Sequence, residues 1–279
     1  MWTAPAAGPG EAAEALAHAR AAFPRWSAVH GWERARVLRG IARALERRKA
    51  EIARALSLEI GRPISQSDGE VAIAIEQFDW FAGEAERLFG EVPEPVGIVA
   101  AFTAWNFPVN LVARKIAPAL AAGCPVICRP SEQTPLTSTL IALACVEGGA
   151  PAGVVQMAHG PADVVTPPLM EADEVRKISL TGSTRVGKLM LAQAAQTVKR
   201  ASMELGGHAP VVVCEDADVG AALPSALPSS SAMPGRSASR PAASTSMKAS
   251  PSGSRQEWWR RQGRSFSATA RTRRRPWGR

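Results

Sequence analysis

The sequence predicts an α/β protein: a mostly parallel sheet preceded by a helical segment and followed by a basic tail that does not fold. Three observations lead to this fold class. Residues 1–94 carry apolar side chains at helical spacing, residues 95–219 alternate short apolar strands with helices, and residues 220–279 change abruptly to Ser, Ala, Pro and Arg. Strands that are apolar along their whole length and separated by helices are typical of parallel sheets with helices on both faces. These three ranges are the predicted domains.

The first range contains three predicted helices. An alanine-rich helix covers residues 11–23, a long helix covers residues 32–60, and a third covers residues 69–88. In the long helix, apolar residues recur every three or four positions among Arg and Glu, and Gly61 and Pro63 end the pattern. Because acidic side chains alternate with the basic ones, we expect solvated helix faces rather than a nucleic-acid surface.

Six short apolar segments are the predicted strands of the sheet. They are residues 96–102, 126–128, 154–157, 177–180, 201–205 and 210–214. Polar turns follow the first, second and fourth strands, at residues 103–108, 129–135 and 181–184. Ligands of open parallel sheets bind outside the carboxyl ends of the strands, where all three turns fall, so the sequence predicts a common site there.

Two of these turns also begin helices. Thr134 has the residue type of an N-cap, and Pro135 that of a first helical residue. Gly182, Ser183 and Thr184 open another helix, whose unpaired N–H groups and dipole suit a pyrophosphate, with Gly182 allowing close approach. A Ser at such a position is more often an ordinary N-cap, so both interpretations of Ser183 stay open. The GxGxxG fingerprint of dinucleotide-binding proteins is absent from the sequence.

Charge and cysteine usage exclude several classes of protein. Residues 220–279 hold twelve Lys and Arg against one acid, Glu257, so the tail carries +11 and residues 1–219 carry −3 of the net charge of +8. The four cysteines lie in apolar stretches without metal-ligand spacing, which predicts reduced thiols, a cytoplasmic protein and no metal site. No apolar run reaches the roughly 20 residues that span a bilayer, so no membrane association is predicted.

Glu204 lies in the segment MELGGHAP at residues 203–210, at the predicted end of a strand and beside two glycines. A carboxylate there has two interpretations. It is a solvated charge at a strand end, or it is a general base that acts on a reacting group held nearby. The octapeptide alone does not decide between them.

Four segments together resemble a known family. AWNFP at 104–108, CRPSEQTP at 128–135, LTGSTRVG at 180–187 and MELGGHAP at 203–210 are similar, in this order, to the motifs of the NAD(P)-dependent aldehyde dehydrogenase superfamily. The sequences of these segments are most similar to those of the succinate-semialdehyde dehydrogenase branch. The resemblance covers roughly residues 10–219 and implies a Rossmann-like cofactor domain, of which residues 1–94 are the helical part.

The resemblance implies oxidation of an aldehyde to an acid in two stages. A cysteine thiolate adds to the carbonyl, hydride passes to NAD or NADP, and water hydrolyses the thioester. The Asn106 amide would then donate to the oxyanion, an interaction worth about 3 kcal/mol in other oxyanion holes, and Glu204 would activate the water. By the same resemblance the residues that line the cofactor are Trp105, Asn106, Arg129, Pro130, Ser131, Glu132, Gly182, Ser183 and Leu205. Glu132 would meet a ribose hydroxyl and Ser183 the pyrophosphate.

Three features depart from the family pattern. Arg129 stands where a lysine is usual, which leaves the choice between NAD and NADP open. The stretch between residues 88 and 95 is too short for the β-hairpin of the family's oligomerisation arm, so the family's homo-oligomer is not predicted for this chain. No cysteine follows Glu204 except Cys214, only ten residues on and inside an apolar strand, where a buried thiol resists ionisation. We therefore expect no turnover from this chain.

The tail itself suggests why the nucleophile is missing. If residues 232–239 are written in GC-rich codons, the neighbouring frame permits Asn-Ala-Gly-Gln-Val-Cys, which resembles the family's cysteine context. The hypothesis is a base insertion or deletion near codon 220 that replaced the second half of the enzyme with a disordered tail. The alternatives are a non-catalytic dinucleotide binder and, less favoured, a nucleic-acid-binding arm with Trp258, Trp259 and Trp277 for stacking.

Overall fold

The computed structural model describes residues 5–88 and 94–207, together with residues 218 and 221. The chain divides into two units, Met1–Gly207 and His208–Arg279. The predicted strand at 210–214, Cys214 and nearly all of the predicted disordered tail lie outside the described residues, as does most of the short stretch at 88–95. Among the described helices, none is both long and apolar enough to cross a membrane. The domain limits at 94 and 219 stay a prediction.

Four helices precede the sheet. They are α1 (Pro9–Ser27), α2 (Gly31–Arg47), α3 (Lys49–Ile60) and α4 (Ile64–Arg87). The single helix predicted at residues 32–60 is wrong, because the backbone leaves the helical path at Arg48, with φ −94° and ψ 4°. The Arg48 guanidinium donates to Glu147 and to Glu51. The helical spacing of apolar residues continues across this break, so the sequence pattern did not indicate it. Helix α3 ends as predicted at Gly61, which has φ 68°.

The sheet has five described strands. They are β1 (Ile98–Phe102), β2 (Val126–Arg129), β3 (Val155–Met157), β4 (Val175–Gly182) and β5 (Arg200–Leu205). All neighbouring pairs are parallel, and the order across the sheet is β3-β2-β1-β4-β5. The predicted mostly parallel, Rossmann-like α/β fold is confirmed. The chain reverses its direction of winding between β1 and β4, and ligands of such sheets bind at this switch point.

Helices connect the strands and cover both faces. They are α5 (Pro108–Ala121), α6 (Pro135–Glu147), α7 (Ala162–Glu171) and α8 (Thr184–Gln196). Ile98, Ala100 and Phe102 of β1 pack in one apolar core with residues of α1, α7 and α8. Val99 and Ala101 point to the opposite face and are also buried. Helices α5 and α6 pack there, and α2, α3 and α4 form an outer layer against them.

Candidate functional site

The turn between β1 and α5 carries Trp105 and Asn106. Trp105 is half-buried and Asn106 is buried. The main-chain oxygen of Asn106 accepts a hydrogen bond of 2.6 Å from Nη2 of Arg62, which lies in the connection between α3 and α4. The Arg62 guanidinium also lies over the Phe107 ring, 4.4 Å from its centroid. The outer helical layer therefore holds the turn that bears Asn106.

Glu70 of α4 completes this support. Its carboxylate forms a buried ion pair with Arg62 and accepts hydrogen bonds from the amides of Val109 and Asn110, at 2.9 and 3.1 Å. Burial raises the pKa of the Glu70 carboxyl, while the charge of Arg62 and the two amides oppose that rise. Glu70 therefore caps the N-terminus of α5 from another helix. The sequence reasoning missed this pair, because its members lie eight residues apart from each other and about forty from their other partners.

Three polar atoms near the switch point lack partners. Oγ1 of Thr103, Oδ1 of Asn106 and Oγ1 of Thr181 are buried and make no hydrogen bond within the part of the chain that the structure describes. Thr103 and Asn106 follow β1, and Thr181 is the next-to-last residue of β4. Buried polar atoms usually have partners, so this edge of the sheet has the unused hydrogen-bonding capacity of a ligand site.

Arg129 is the last residue of β2 and is buried. Its Nε and Nη2 atoms donate to the carbonyl oxygen of Gly160, at 3.1 and 2.9 Å, and Nη2 also pairs with the carboxylate of Glu132. Pro130 and Ser131 are buried beside it, whereas Glu132 is exposed. The Ser131 hydroxyl accepts from the Gln133 amide at 3.3 Å. This cluster lies at the carboxyl end of β2, next to β1.

Helix α6 is capped in a way that corrects the sequence analysis. Thr134 occupies the N-cap position, but its hydroxyl makes no capping bond and is buried without a partner among the described residues. The amides of Leu136 and Thr137 donate instead to the Glu59 carboxylate of α3, at 2.7 and 3.1 Å. Thr134 is therefore not a side-chain cap, because a carboxylate from outside the helix binds the amides it would have satisfied.

Helix α8 begins differently from α5 and α6. Its N-cap hydroxyl, on Ser183, accepts from the amide of Val186 at 3.2 Å, and Ser183 is exposed. The ordinary N-cap interpretation of Ser183 is thus confirmed. No carboxylate lies in the first turn of α8. Among the described residues its remaining amides have no carboxylate partner, whereas the buried Glu70 and the half-buried Glu59 bind the first turns of α5 and α6.

Two glycines shape the approach to α8. A Cβ on Gly182 would lie 3.3 Å from Cδ1 of Leu180, a tight contact with a side chain of the same strand. A Cβ on Gly187 would lie 2.6 Å from Cδ2 of Leu205. Gly187, which the sequence reasoning did not single out, therefore lets α8 pack closely on the end of β5. Leu205 serves this packing, and its contact with a cofactor stays a prediction.

Glu204 is exposed near the end of β5, where it pairs in register with Thr181 of β4. Lys115 of α5, which the sequence reasoning missed, is close enough for its charge to interact with Glu204. Its Nζ donates to Oγ of Ser179 at 3.0 Å. Burial lowers the pKa of Lys115 to about 8, against the raising effects of Cys128 and Glu204. The signal in the sequence was a lysine inside the apolar run of α5.

The described thiols are structural. Cys124, Cys128 and Cys145 are buried and free. Burial raises the pKa of Cys128 and of Cys145 to about 12, so neither ionises near neutral pH. Within the described ranges, His, Cys, Asp and Glu side chains form no cluster of three that could hold a metal ion.

The structure brings the predicted site residues to one edge of the sheet. Asn106 follows β1, Gly182 and Ser183 follow β4, and Glu204 lies at the end of the neighbouring β5. The cluster around Arg129 follows β2, on the other side of β1. Such an arrangement at a switch point is where the open α/β sheets, a class that includes the dinucleotide-binding proteins, hold their ligands.

Comparison with known proteins gives the family. The aldehyde dehydrogenase family model matches residues 1–242, past the residue 219 where the sequence analysis ended the resemblance. The chain belongs to the aldehyde dehydrogenase family, whose members are oxidoreductases. It is 36% identical over 242 residues to the NADP(+) succinate-semialdehyde dehydrogenase of Escherichia coli K12, covering 82% of this chain and 50% of that protein.

Solved structures agree. The succinate-semialdehyde dehydrogenase of Burkholderia pseudomallei superposes with a TM-score of 0.80 at 38% identity, over 82% of this chain and 50% of the other. A mutant of aldehyde dehydrogenase C from Pseudomonas syringae, in complex with NAD+ and octanal, superposes with a TM-score of 0.79 at 34% identity. The match covers 85% of this chain and 50% of the other. The chain spans about half the length of the relatives it matches.

Proposed function

We propose that this chain binds NAD or NADP at the carboxyl edge of its sheet, and that the corresponding intact enzyme oxidises a small semialdehyde. One observation carries the proposal. Of the helices that follow β1, β2 and β4, α8 alone begins without a carboxylate from another described helix on its first amides. A pyrophosphate needs such amides, and α8 offers them at the switch point. The relatives named above support the nicotinamide cofactor and the semialdehyde.

Each group of site residues has a separate proposed role. The α8 amides and Ser183 would bind the pyrophosphate, and the cluster after β2 would bind the adenosine. The bound cofactor accepts hydride. Asn106, held through its main chain by Arg62, would direct its side-chain amide at the oxygen of the aldehyde. Glu204 would take a proton from the hydrolytic water.

Turnover requires a thiolate beside Glu204, and we infer that this sequence does not supply one. Two of the described thiols have pKa values raised to about 12 by burial, and Cys214 is only ten residues beyond Glu204. We therefore propose that the chain is a non-catalytic binder, with a frame change after about residue 219 as the cause. Resequencing of the encoding DNA tests the cause. A clean gene with no cysteine context in the neighbouring frame contradicts it.

Cofactor binding is tested by isothermal calorimetry with NAD+ and with NADP+, using two variants of Ser183. Asn and Asp are equally good N-caps, so Ser183→Asn and Ser183→Asp both preserve α8. Only Ser183→Asp adds a negative charge where the pyrophosphate would bind. We expect Ser183→Asn to bind within a few-fold of the parent and Ser183→Asp not to bind. Failure of the parent to bind either nucleotide at millimolar concentration overturns the proposal.

Catalysis is tested by mixing the chain with succinic semialdehyde and NAD+ or NADP+, and by following the absorbance of the reduced nicotinamide cofactor. We expect no signal above the blank. A substantial rate that Glu204→Gln abolishes would overturn the inactive assignment while supporting Glu204 as the base. Three free buried thiols accord with a reducing compartment, and we propose the cytoplasm. We propose neither nucleic-acid binding nor a homo-oligomer for this chain.

A further inference from the structure

Lys115 is a buried amine that has no role in the proposed oxidation. It lies in the middle of α5, it is only 6% exposed, and its Nζ donates to Oγ of Ser179 in β4 at 3.0 Å. Its amine forms no ion pair with a carboxylate of the described chain, unlike the buried guanidinium of Arg62, which pairs with Glu70. A buried lysine that contacts a hydroxyl instead of a carboxylate has little to hold its proton.

The surroundings of Lys115 therefore favour its neutral form. Burial lowers the pKa of Lys115 to about 8, with Cys128 and Glu204 opposing the change and Arg114 and Lys177 adding to it. At pH 7 roughly a tenth of the amine is then neutral. A desolvated neutral lysine is a nucleophile that forms Schiff bases with carbonyl compounds.

The amine is directed at an open part of the sheet. Ser179 and Thr181 lie on one face of β4, and they pair in register with Ser202 and Glu204 of β5. Ser179 and Thr181 are half-buried, whereas Ser202 and Glu204 are exposed. Thr181, whose Oγ1 has no described partner, lies two residues, or about 7 Å, nearer to the carboxyl edge than Ser179. A small aldehyde at that edge can therefore reach Lys115 along this face.

We propose that Lys115 captures small aldehydes as a reversible imine, with Glu204 carrying the protons. The inference rests on the proposed function, which brings an aldehyde to the same edge of the sheet. The Nζ lone pair adds to the carbonyl carbon, a C–N bond forms, and one proton passes from the nitrogen to the carbonyl oxygen. A second proton follows, the C–O bond breaks, and the oxygen leaves as water. Nothing is oxidised or reduced, so capture needs neither the cofactor nor a thiol.

Trapping with sodium cyanoborohydride tests this proposal in the full chain. The reagent reduces an imine to a stable secondary amine, so mass spectrometry of the digested protein locates the modified lysine. The probe is succinic semialdehyde at pH 7, without nucleotide. A pKa of about 8 instead of 10.5 leaves far more of the Lys115 amine neutral. We therefore expect Lys115 to be labelled at least about tenfold faster than Lys177.

Lys177 is the matched control. Its Nζ likewise donates to a serine hydroxyl, that of Ser202, on the same face of the sheet, but Lys177 is half-buried whereas Lys115 is buried. Lys177→Met should leave labelling of Lys115 within a few-fold of the parent, and Lys115→Met should abolish the fast label. Glu204→Gln should slow the labelling of Lys115 several-fold. Because the label is located in the parent chain, the test stays valid even if Lys115→Met does not fold.

The outcomes separate this inference from the proposed function. Labelling of Lys115 no faster than that of Lys177 overturns the inference, and the cofactor site stands if NAD+ or NADP+ still binds. Fast labelling that Glu204→Gln does not slow supports Lys115 as the nucleophile and overturns the role of Glu204. Fast labelling in a chain that binds neither nucleotide supports aldehyde capture and overturns the proposed cofactor site.

Discussion

Arg62 and Glu70 form a buried ion pair whose two ends hold the same turn. Each side chain is only 2% exposed. The guanidinium donates to the main-chain oxygen of Asn106, and the carboxylate accepts from the first amides of α5. The position of the proposed oxyanion donor thus depends on two residues of the outer helical layer.

Loss of one member of this pair should destabilise the fold strongly. Arg62→Met leaves the Glu70 carboxylate buried without its counter-charge, and we expect the free energy of unfolding in urea to fall by about 3–5 kcal/mol. Adding Glu70→Gln to that variant removes the unpaired charge, and should recover much of the loss.

The matched control for this experiment is Arg87→Met. Arg87 pairs with Glu84 in α4, and its side chain is 66% exposed. Exposed pairs contribute about 0–1 kcal/mol, so Arg87→Met should hardly change the free energy of unfolding. Equal losses in Arg62→Met and Arg87→Met would contradict a special role for the buried pair.

The lowered pKa of Lys115 predicts a pH dependence of stability. The pKa is about 8 in the folded chain, against an ordinary value of 10.5. Between these values the unfolded chain binds more protons than the folded one, so the free energy of unfolding rises with pH. From pH 7 to pH 9 the rise from this residue amounts to about 1 kcal/mol.

Urea unfolding of the parent and of Lys115→Met, at pH 7 and at pH 9, isolates this contribution. The buried cysteines also titrate differently on unfolding, but they are common to both proteins and cancel in the difference. We expect the free energy of the parent, relative to Lys115→Met, to increase between the two pH values. A difference that stays constant or decreases shows that burial does not lower this pKa.

Glu59 rather than Thr134 should stabilise the start of α6. Glu59→Ala leaves the amides of Leu136 and Thr137 without their acceptor, and we expect a loss of about 1–3 kcal/mol in urea unfolding. Thr134→Val replaces a buried hydroxyl that has no described partner with a methyl group of the same shape, and should be neutral or slightly stabilising. A larger loss for Thr134→Val than for Glu59→Ala would restore Thr134 as the cap.

These capping carboxylates also show where sequence reasoning ends. The parallel sheet, five of the six predicted strands and the Ser183 cap follow from short-range patterns, and the structure confirms them. Glu59 and Glu70 act on residues 77 and 39 positions away, and nothing in the local sequence couples such partners. The break at Arg48 was not predicted either, because the apolar pattern of the sequence continues across it. The order β3-β2-β1-β4-β5 likewise depends on contacts between distant segments.

Gly187 is the one glycine of α8, and we expect its replacement by alanine to destabilise the chain. It is buried, and a Cβ there would lie 2.6 and 2.9 Å from the two terminal carbons of Leu205, closer than packed carbon atoms approach. Gly187→Ala should therefore push α8 away from the end of β5 and cost about 1–3 kcal/mol, even though Ala is the better helix former. The displacement also moves the amides of α8 that we propose for the pyrophosphate.

Gly69→Ala is the matched control, because Gly69 lies inside α4 and an added Cβ would meet nothing within 4 Å. It should stabilise the chain by about 0.5–1 kcal/mol in urea unfolding. Leu205→Ala creates the space that Gly187→Ala lacks. The double variant should therefore lose less stability than the sum of the two single losses, because the clash is removed. Strict additivity would mean that the two residues do not contact, and that another neighbour makes Gly187 necessary.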